Sequence, residues 1–341
     1  MSSKLFARLG TLRWSWAAAL SLIVGGGLLT ACGGGGQIEP FKPSRVLAFG
    51  DELSVIEPDG RKYSINAFKQ VTGSGGTLVD DPTTLDCARN PIWVQAVASA
   101  FGLFFDRCPG PVTDPPRPSP LSQIRAQAGH KVADLPAQVL GVTGAALGDK
   151  DLALVMIGMN DILELYAEYP RLSRDTLIAQ ARGRGRLLGR LINNVAMSGP
   201  AVVVLTVPDI GLSPFALAQN TSTGDPTRSR LISDLVKVFN DNTSIELIND
   251  GRLIGLVYAD IETQNMVEFP STFSLSNVTT AACKDTPPLP DCTTATLKDA
   301  VPPAAAPTAT SWLWADDLRL SPAGHSRIGQ LAASRAVNNP F

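Results

Sequence analysis

The sequence predicts an α/β fold in which a mostly parallel sheet is covered by helices on both faces. Four short apolar runs lack any polar alternation, which is typical of strands buried on both faces of a parallel sheet. Helical patterns separate these runs, and strands that alternate with helices are characteristic of doubly wound α/β folds. The chain has 341 residues, of which 44% are hydrophobic, and is therefore long enough to bury a large core.

The predicted elements follow one another with few interruptions. Strands are expected at residues 45–49, 152–157, 201–205 and 256–258. Helices are expected at residues 92–101, 134–140, 174–197, 227–249 and 323–337. Two proline-rich stretches, 108–120 and 286–307, each lie beside a pair of cysteines, and we interpret them as stapled surface loops. The sequence contains no internal repeat, so we expect one domain over residues 45–341.

The charge balance argues against two classes of protein. The chain has 29 Lys and Arg against 31 Asp and Glu, a formal net charge of −2. No basic excess is present to neutralise phosphates, which disfavours a nucleic-acid-binding role. The apolar content also disfavours a long disordered chain, because such chains cannot bury enough apolar surface to fold.

The first 31 residues have the pattern of an export signal. Lys4, Arg8 and Arg13 form a basic start, and residues 14–31 are almost wholly apolar. A basic start, an apolar stretch and small residues before a cleavage point are typical of secretory signals. A transmembrane anchor is the alternative, but a run of 18 residues interrupted by the glycines at 25–27 is short for a span.

The end of this segment resembles the bacterial lipobox. The sequence LTAC at residues 29–32 ends in Cys32, and the resemblance implies that Cys32 is lipidated and becomes the first residue of the mature chain. Gly33 follows, where an Asp would indicate retention in the inner membrane, so we expect the outer membrane. Residues 32–44 are expected to form a tether that is flexible at its glycines and stiffer at its prolines. The predicted location is therefore the bacterial cell envelope, with the membrane as partner.

Four cysteines remain beyond Cys32. An even number of cysteines in an exported protein favours disulfides. Proximity in the sequence favours Cys87–Cys108 and Cys283–Cys292, one of the three pairings that four cysteines allow. A zinc site is the alternative, but the chain has no CxxC motif and only two histidines. We therefore expect two disulfides and no metal or other cofactor.

Three short blocks lie where loops should leave the carboxyl ends of strands, the edge at which open α/β sheets bind ligands. They are residues 49–54 (FGDELS), 158–161 (GMND) and 314–325 (WADDLRLSPAGH). In this order and spacing they resemble the SGNH/GDSL esterase–lipase family: the first its FGDSLS elbow, the second its GxND block and the third its DxxHxTxxGH block. Residues 207–211 and 277–280 are similar to its autotransporter-esterase branch. The resemblance covers about residues 45–336 and implies a three-layer α/β/α, flavodoxin-like fold.

The resemblance assigns roles to five residues. In the family, a serine on a sharp turn attacks the ester, a histidine takes its proton, and an aspartate three residues before that histidine orients the ring. Here the nucleophile position holds Glu52 and the base position holds Arg319, while Asp316 keeps the orienting position. Asn160 and Gly129 match the donors that stabilise the oxyanion.

The two replacements change the chemistry that this site supports. Arginine stays protonated in proteins and cannot accept a proton. A carboxylate nucleophile would need an acid–base partner beside it, which the blocks do not supply. Ordinary serine-esterase chemistry is therefore not supported. We expect Glu52 and Arg319 to form an oriented ion pair beside Asp316, with Glu52 reaching the Asn160 amide and filling the oxyanion site.

Residues near these blocks receive supporting roles. Asp51 is expected to brace the elbow, and Asp161, shortly after Gly158, is expected near a helix N-terminus where its charge is favourable. His130 is the better candidate for a displaced base. His325 has a simpler interpretation as a capping or packing residue.

Three further features are expected to be structural. Ser54 is expected to point away from the cleft, and Trp312 and Trp314 are expected in the core or at its rim. The arginines between residues 182 and 190 are expected on a solvated helix face, with contact to anionic lipid or glycan as the alternative.

Three functions are compatible with these residues. The first is a degenerate member of the esterase family that keeps the scaffold and binds a ligand or an envelope partner, which the replacements at Glu52 and Arg319 favour. The second is an active carboxylic-ester hydrolase with an altered catalytic constellation. The third is a structural envelope lipoprotein. The resemblance implies an acyl ester or a lipid-like small molecule as the ligand class, although fold alone does not establish function.

Overall fold

A computed structural model of the chain describes residues 41–110, 122–300, 306–339 and 341. The strands are β1 (Arg45–Gly50), β2 (Phe68–Thr72), β3 (Leu78–Leu85), β4 (Gln123–Ile124), β5 (Asp151–Met156), β6 (Ala201–Leu205), β7 (Ile254–Val257), β8 (Asn277–Ala281) and β9 (Trp312–Trp314). The helices are α1 (Trp93–Ala100), α2 (Leu135–Leu140), α3 (Met159–Ala167), α4 (Arg174–Met197), α5 (Pro214–Thr223), α6 (Arg228–Glu246), α7 (Ala259–Glu268) and α8 (Pro322–Asn338). The predicted signal, Cys32, most of the predicted tether and parts of both proline-rich stretches lie outside the described residues.

Five strands form one parallel sheet in the order β4–β1–β5–β6–β7. The central pair β1 and β5 is in register from Arg45 opposite Asp151 to Gly50 opposite Met156. Numbered along the chain within this sheet, the strand order is 2-1-3-4-5, which is the flavodoxin-like order of doubly wound folds. The predicted fold class is therefore confirmed.

Four of the five sheet strands, β1, β5, β6 and β7, are where the apolar runs predicted them. Strands β1, β5 and β6 are buried along their whole length. Their near-continuous apolar sequences suit this position, because helices cover both faces of a parallel sheet. The least accurate prediction was β7, which begins two residues before its expected start, at Ile254 opposite Val202 of β6.

The five predicted helices are present, each within three residues of its expected bounds, and α4 matches at both ends. Helices α3, α5 and α7 were not predicted; they have nine or ten residues each. The antiparallel hairpin β2–β3, the two-residue edge strand β4 and the small sheet of β8 and β9 were also missed. In the ranges that the structure describes, no helix is both long enough and apolar enough to span a bilayer.

A small second core lies beside the main one. It contains Ile65, Ala282, Cys283, Cys292, Trp312 and Ala315. Both predicted disulfides, Cys87–Cys108 and Cys283–Cys292, are present, and the second of them belongs to this small core. Trp314 is fully buried in the main core, and Trp312 is buried in the small one, as expected.

Candidate functional site

The first block forms a sharp turn at the carboxyl end of β1. Residues Glu52–Ser54 make one 3₁₀ turn, and the Leu53 N–H donates to Oδ1 of Asp51 at 3.3 Å. Gly50 must lack a side chain, because a Cβ there would lie 2.1 Å from the carbonyl oxygen of Met156 on β5. The close approach of β1 and β5 at Gly50 therefore requires glycine as the residue at which the turn begins.

Asp51 joins the first block to the second. Its Oδ2 accepts a hydrogen bond from the N–H of Met159, the first residue of α3, at 3.3 Å. Burial, and after it the Glu52 carboxylate, raises the pKa of Asp51, while the surrounding N–H donors act in the opposite direction. The structure places Asp51 as a brace of the elbow, in the position that the sequence predicts.

Glu52 lies between the second and third blocks. Its Oε1 accepts a hydrogen bond from Nη2 of Arg319 at 3.2 Å, and its Oε2 accepts one from Nδ2 of Asn160 at 2.8 Å. The Glu52 side chain is only 5% exposed, so these two partners replace most of its contact with water. The expected ion pair and the expected contact with the Asn160 amide are both present.

Asp316 holds Arg319 in place. Nη1 of Arg319 donates to Oδ2 of Asp316 at 3.0 Å, and the backbone N–H of Arg319 donates to Oδ1 at 2.6 Å. Burial alone would lower the pKa of Arg319, but the Asp316 and Glu52 carboxylates raise it above its ordinary value. Arg319 therefore stays a cation and cannot act as a base. Its Nε is buried and has no hydrogen-bond partner among the described residues.

Asn160 forms the part of the site that comes from the second block. Besides Glu52, the Asn160 amide donates to the backbone carbonyl of His130 at 3.1 Å. Gly129 precedes His130 with a φ of +79°, a conformation that favours glycine. The direction of the Gly129 N–H toward the oxyanion position stays a prediction. The structure thus brings the residue after Gly129 into direct contact with the second block.

Gln138 of α2 supports the site and was missed in the sequence. Its side chain pairs with both backbone groups of Gly50, accepting from the N–H and donating to the carbonyl at 2.8 Å each. Its Nε2 also lies 2.9 Å from Nδ1 of His130, which accepts from it when that nitrogen carries no proton. A lone amide within the otherwise apolar helix LPAQVL was the available signal.

Ser54 and His325 are committed to other contacts. Ser54 is fully buried, and its Oγ accepts a hydrogen bond from the indole N–H of Trp93 at 3.2 Å. His325 is also fully buried, and burial, assisted by the charge of Lys62, lowers its pKa to about 3. His325 is therefore a neutral packing histidine at neutral pH, in agreement with its simpler interpretation.

The remaining second-block residues are structural. Asp161 lies in the first turn of α3, where it accepts from the Val132 N–H at 2.9 Å and pairs with Arg184 of α4 at 3.3 Å. This pairing engages one arginine of the basic run within the fold. At Gly158 a Cβ would lie 2.5 Å from the Phe239 ring, so glycine allows α3 to start close to α6.

The assembled site binds a carboxylate of its own chain. Asn160 and Arg319 direct N–H donors at Glu52 from two sides. Neither a neutral amide nor a guanidinium cation can act as a general base toward a nucleophile. Among the described residues, no three His, Cys, Asp or Glu side chains are arranged to hold a metal ion. The geometry therefore favours electrostatic binding of a carboxylate at this position, and Asp316 holds the Arg319 cation in place.

Comparison with known proteins finds similar solved structures, at low sequence identity. The chain matches no protein-family model and no curated protein sequence. Axe2, an acetylxylan esterase from Geobacillus stearothermophilus, is 17% identical over 88% of this chain and 96% of its own, with a TM-score of 0.38. A catalytic mutant of Axe2 is 16% identical over 87% and 94%, with a TM-score of 0.39. Another Axe2 mutant, described as an acetyl-xylooligosaccharide esterase, is 16% identical over 88% and 96%, with a TM-score of 0.41.

Proposed function

We propose that this chain is an SGNH/GDSL-hydrolase-like envelope lipoprotein that has lost serine-esterase catalysis and acts as a ligand- or partner-binding protein. The observation that carries the proposal is the Glu52 carboxylate, which lies between Arg319 and Asn160 where a nucleophile and its oxyanion would be. The predicted signal and Cys32 support the envelope location.

Loss of catalysis is supported by the protonation states at the site. Serine esterases need a neutral base that takes a proton from the nucleophile and returns it to the leaving group. Arg319 is held as a cation by two carboxylates, Glu52 and Asp316, so it cannot serve as that base. The Asn160 donor that would stabilise a developing oxyanion already binds an anion.

The test is to restore the two missing groups. We expect the mature domain to show no turnover of short- and medium-chain nitrophenyl esters, and the Glu52→Ser/Arg319→His variant to hydrolyse them. The matched control is Glu52→Ser/Arg319→Gln, which opens the same space without a base. A general base contributes about 10²–10⁴-fold, so the two double variants should differ by at least about 10²-fold in kcat.

The opposite result would support a second function, an active ester hydrolase with an altered constellation. The Asn160 donor, and the His130 ring held by Gln138, favour this candidate. Wild-type turnover that Glu52→Ala abolishes would contradict the proposal and indicate a carboxylate-based mechanism. If His130→Gln abolishes it instead, His130 is the displaced base. Silence of the wild type and of both double variants, all folded, would point to a structural envelope protein.

A further inference from the structure

The segment that carries Arg319 is not held by the five-stranded sheet. Residues 314–320 form a closed turn, which we call the Arg319 turn. In it the Ala315 N–H donates to the Arg319 carbonyl at 2.8 Å, and Trp314 bridges Leu320. The turn begins at Trp314, the last residue of β9, a strand of three residues that pairs with β8 in a separate small sheet. The position of Arg319 must therefore be fixed by contacts outside the main sheet.

Three buried polar side chains shortly after the elbow supply such contacts. We call residues 62–66 the bracket. Lys62, Ser64 and Asn66 are 0%, 0% and 2% exposed, although each carries a polar group. Buried polar groups in folded proteins are almost always committed to hydrogen bonds, so their partners show what the bracket holds.

Ser64 holds the Arg319 turn directly. Its hydroxyl donates to the carbonyl oxygen of Leu320, the residue after Arg319, at 2.9 Å. Lys62 fixes the other side of the bracket: its ammonium donates to the backbone carbonyls of Cys87, Arg89 and Asn90 at 2.7–3.0 Å. The bracket is thereby tied to the region closed by the first disulfide.

Asn66 holds the Arg319 turn through the second disulfide. Its Nδ2 donates to the carbonyls of Pro290 at 2.7 Å and Cys292 at 3.1 Å. At the other end of that disulfide, the Cys283 N–H donates to the Ala315 carbonyl at 2.8 Å. The bracket is therefore connected to the Arg319 turn in two ways. Ser64 contacts the turn directly, and Asn66 contacts it indirectly through the Cys283–Cys292 disulfide.

We propose that Ser64 and Asn66 are positioning residues that, with the Cys283–Cys292 disulfide, set the Arg319 turn against Glu52. Their hydrogen bonds go to neither the Glu52 nor the Asp316 carboxylate, and they act through the Leu320 and Ala315 carbonyls. The inference rests on the proposed function only in taking Arg319 as the residue at the base position. It explains why the small second core, which contains Ala315 and the disulfide, adjoins the site.

The test is amide hydrogen exchange in the otherwise unmodified mature domain. Ser64→Ala should speed exchange of the Ala315 and Arg319 N–H groups at least about tenfold. Without the Ser64 hydroxyl, the Arg319 turn should open locally at a lower free energy than the rest of the fold. The matched control is Ser122→Ala, an equally buried serine whose Oγ accepts from the Val46 N–H at 2.8 Å in the main sheet. The control should speed exchange at Val46 and leave the turn unchanged.

A second variant and a spectroscopic signature keep the test decisive. If Ser64→Ala does not fold, Cys283→Ala/Cys292→Ala should give the same local increase at Ala315 and Arg319. The ¹H–¹⁵N signal of the Arg319 Nε should shift or broaden in these variants, which a general loss of stability would not cause below the unfolding transition. Equal exchange at the turn in Ser64→Ala and Ser122→Ala would overturn the inference.

The two proposals fail separately. In the Glu52→Ser/Arg319→His background, Ser64→Ala should lower kcat while KM stays nearly constant, because the base is misplaced and the cleft is not. Faster exchange at the turn without any restored esterase activity would uphold the positioning role and reject the proposed function. If esterase activity is restored and Ser64→Ala leaves it unchanged, the proposed function is upheld and the positioning role is rejected.

Discussion

At the scale of single residues, Glu52 and Arg319 depend on each other. A lone carboxylate at Glu52, with 5% of its side chain exposed, would be an uncompensated buried charge. Removing one partner of a buried pair is strongly destabilising, whereas replacing both together is often close to neutral. Arg319 supplies the compensating charge, and Asp316 orients it. We therefore expect a change of Glu52 or Arg319 alone to destabilise the fold more than a change of both.

His325 gives the native state a pH dependence. Its native pKa of about 3 lies below the unfolded value of about 6.5, so the unfolded chain binds one more proton between these values. Its contribution to the free energy of unfolding is complete above pH 6.5. It falls by about 1.4 kcal/mol per pH unit as the pH drops toward 3. We expect His325→Phe to reduce the slope of unfolding free energy against pH in this window, measured by urea unfolding.

The same prediction has a direct spectroscopic check. Other groups also titrate in acid, so the difference between wild type and His325→Phe isolates the histidine. The His325 ring signals of the native protein should keep their neutral chemical shifts down to at least about pH 4. A ring that titrates near the ordinary histidine value would contradict the prediction.

At the scale of elements, helices α4 and α6 approach each other closely because of two glycines. At Gly185 a Cβ would lie 2.2 Å from the Phe239 carbonyl oxygen, and at Gly189 it would lie 2.8 Å from that of Thr243. Backbone atoms cannot move aside as a flexible side chain can. The helix therefore accepts residues of low helix propensity where the packing requires them.

Gly185→Ala should destabilise the fold although alanine is the better helix former. The gain in helix propensity is about 1 kcal/mol, and overpacking typically costs about 1–3 kcal/mol, so we expect a net loss of up to about 2 kcal/mol. Gly183→Ala is the matched control on the same helix, because a Cβ there meets nothing within 4 Å. It should stabilise by up to about 1 kcal/mol. Chemical denaturation measures both, and equal effects of the two substitutions would refute the packing explanation.

The elements that the sequence predicts are those with a long or unbroken pattern. The apolar run AVVVL marks β6 at both ends, and α4 has seven turns in which its periodicity can appear. The ten-residue helix α7 offers fewer than three turns, and the mostly exposed hairpin β2–β3 has no apolar face to alternate. Short elements of this kind form because the surrounding fold supplies their partners, and that information is not local in the sequence.

The residues of the candidate site also fall into those that the sequence predicts and those that it does not. The blocks and the geometry of strand ends predicted that Glu52, Arg319, Asp316 and Asn160 meet. The structure links them by hydrogen bonds in a row, from Asn160 to Glu52, from Glu52 to Arg319 and from Arg319 to Asp316. The supporting groups were not foreseen, because their partners are distant in sequence. Ser64, for example, donates to a carbonyl 256 positions away. A serine in a polar loop gives no local sign of such a contact.

At the scale of the whole molecule, strand β1 separates the end of the predicted tether from the candidate site. Residue 44 leads into the amino end of β1, and Glu52 follows its carboxyl end. Six residues of strand span about 20 Å, so the end of the predicted tether and the ion pair lie at opposite edges of the sheet. An anchor at the tether would leave the carboxyl edge, with Glu52 and Arg319, free to meet a ligand or partner.

The proposed attachment to a membrane would depend on Cys32. We expect the full chain, expressed in a bacterium with a lipoprotein pathway, to be in the membrane fraction, to be released by detergent and to incorporate labelled fatty acid. Attachment through a lipid on Cys32 requires that thiol, so Cys32→Ser should move the protein to the soluble fraction. Retention of Cys32→Ser in the membrane would instead indicate that residues 14–31 are an uncleaved anchor. A soluble wild type without label would indicate a cleaved signal and no lipid.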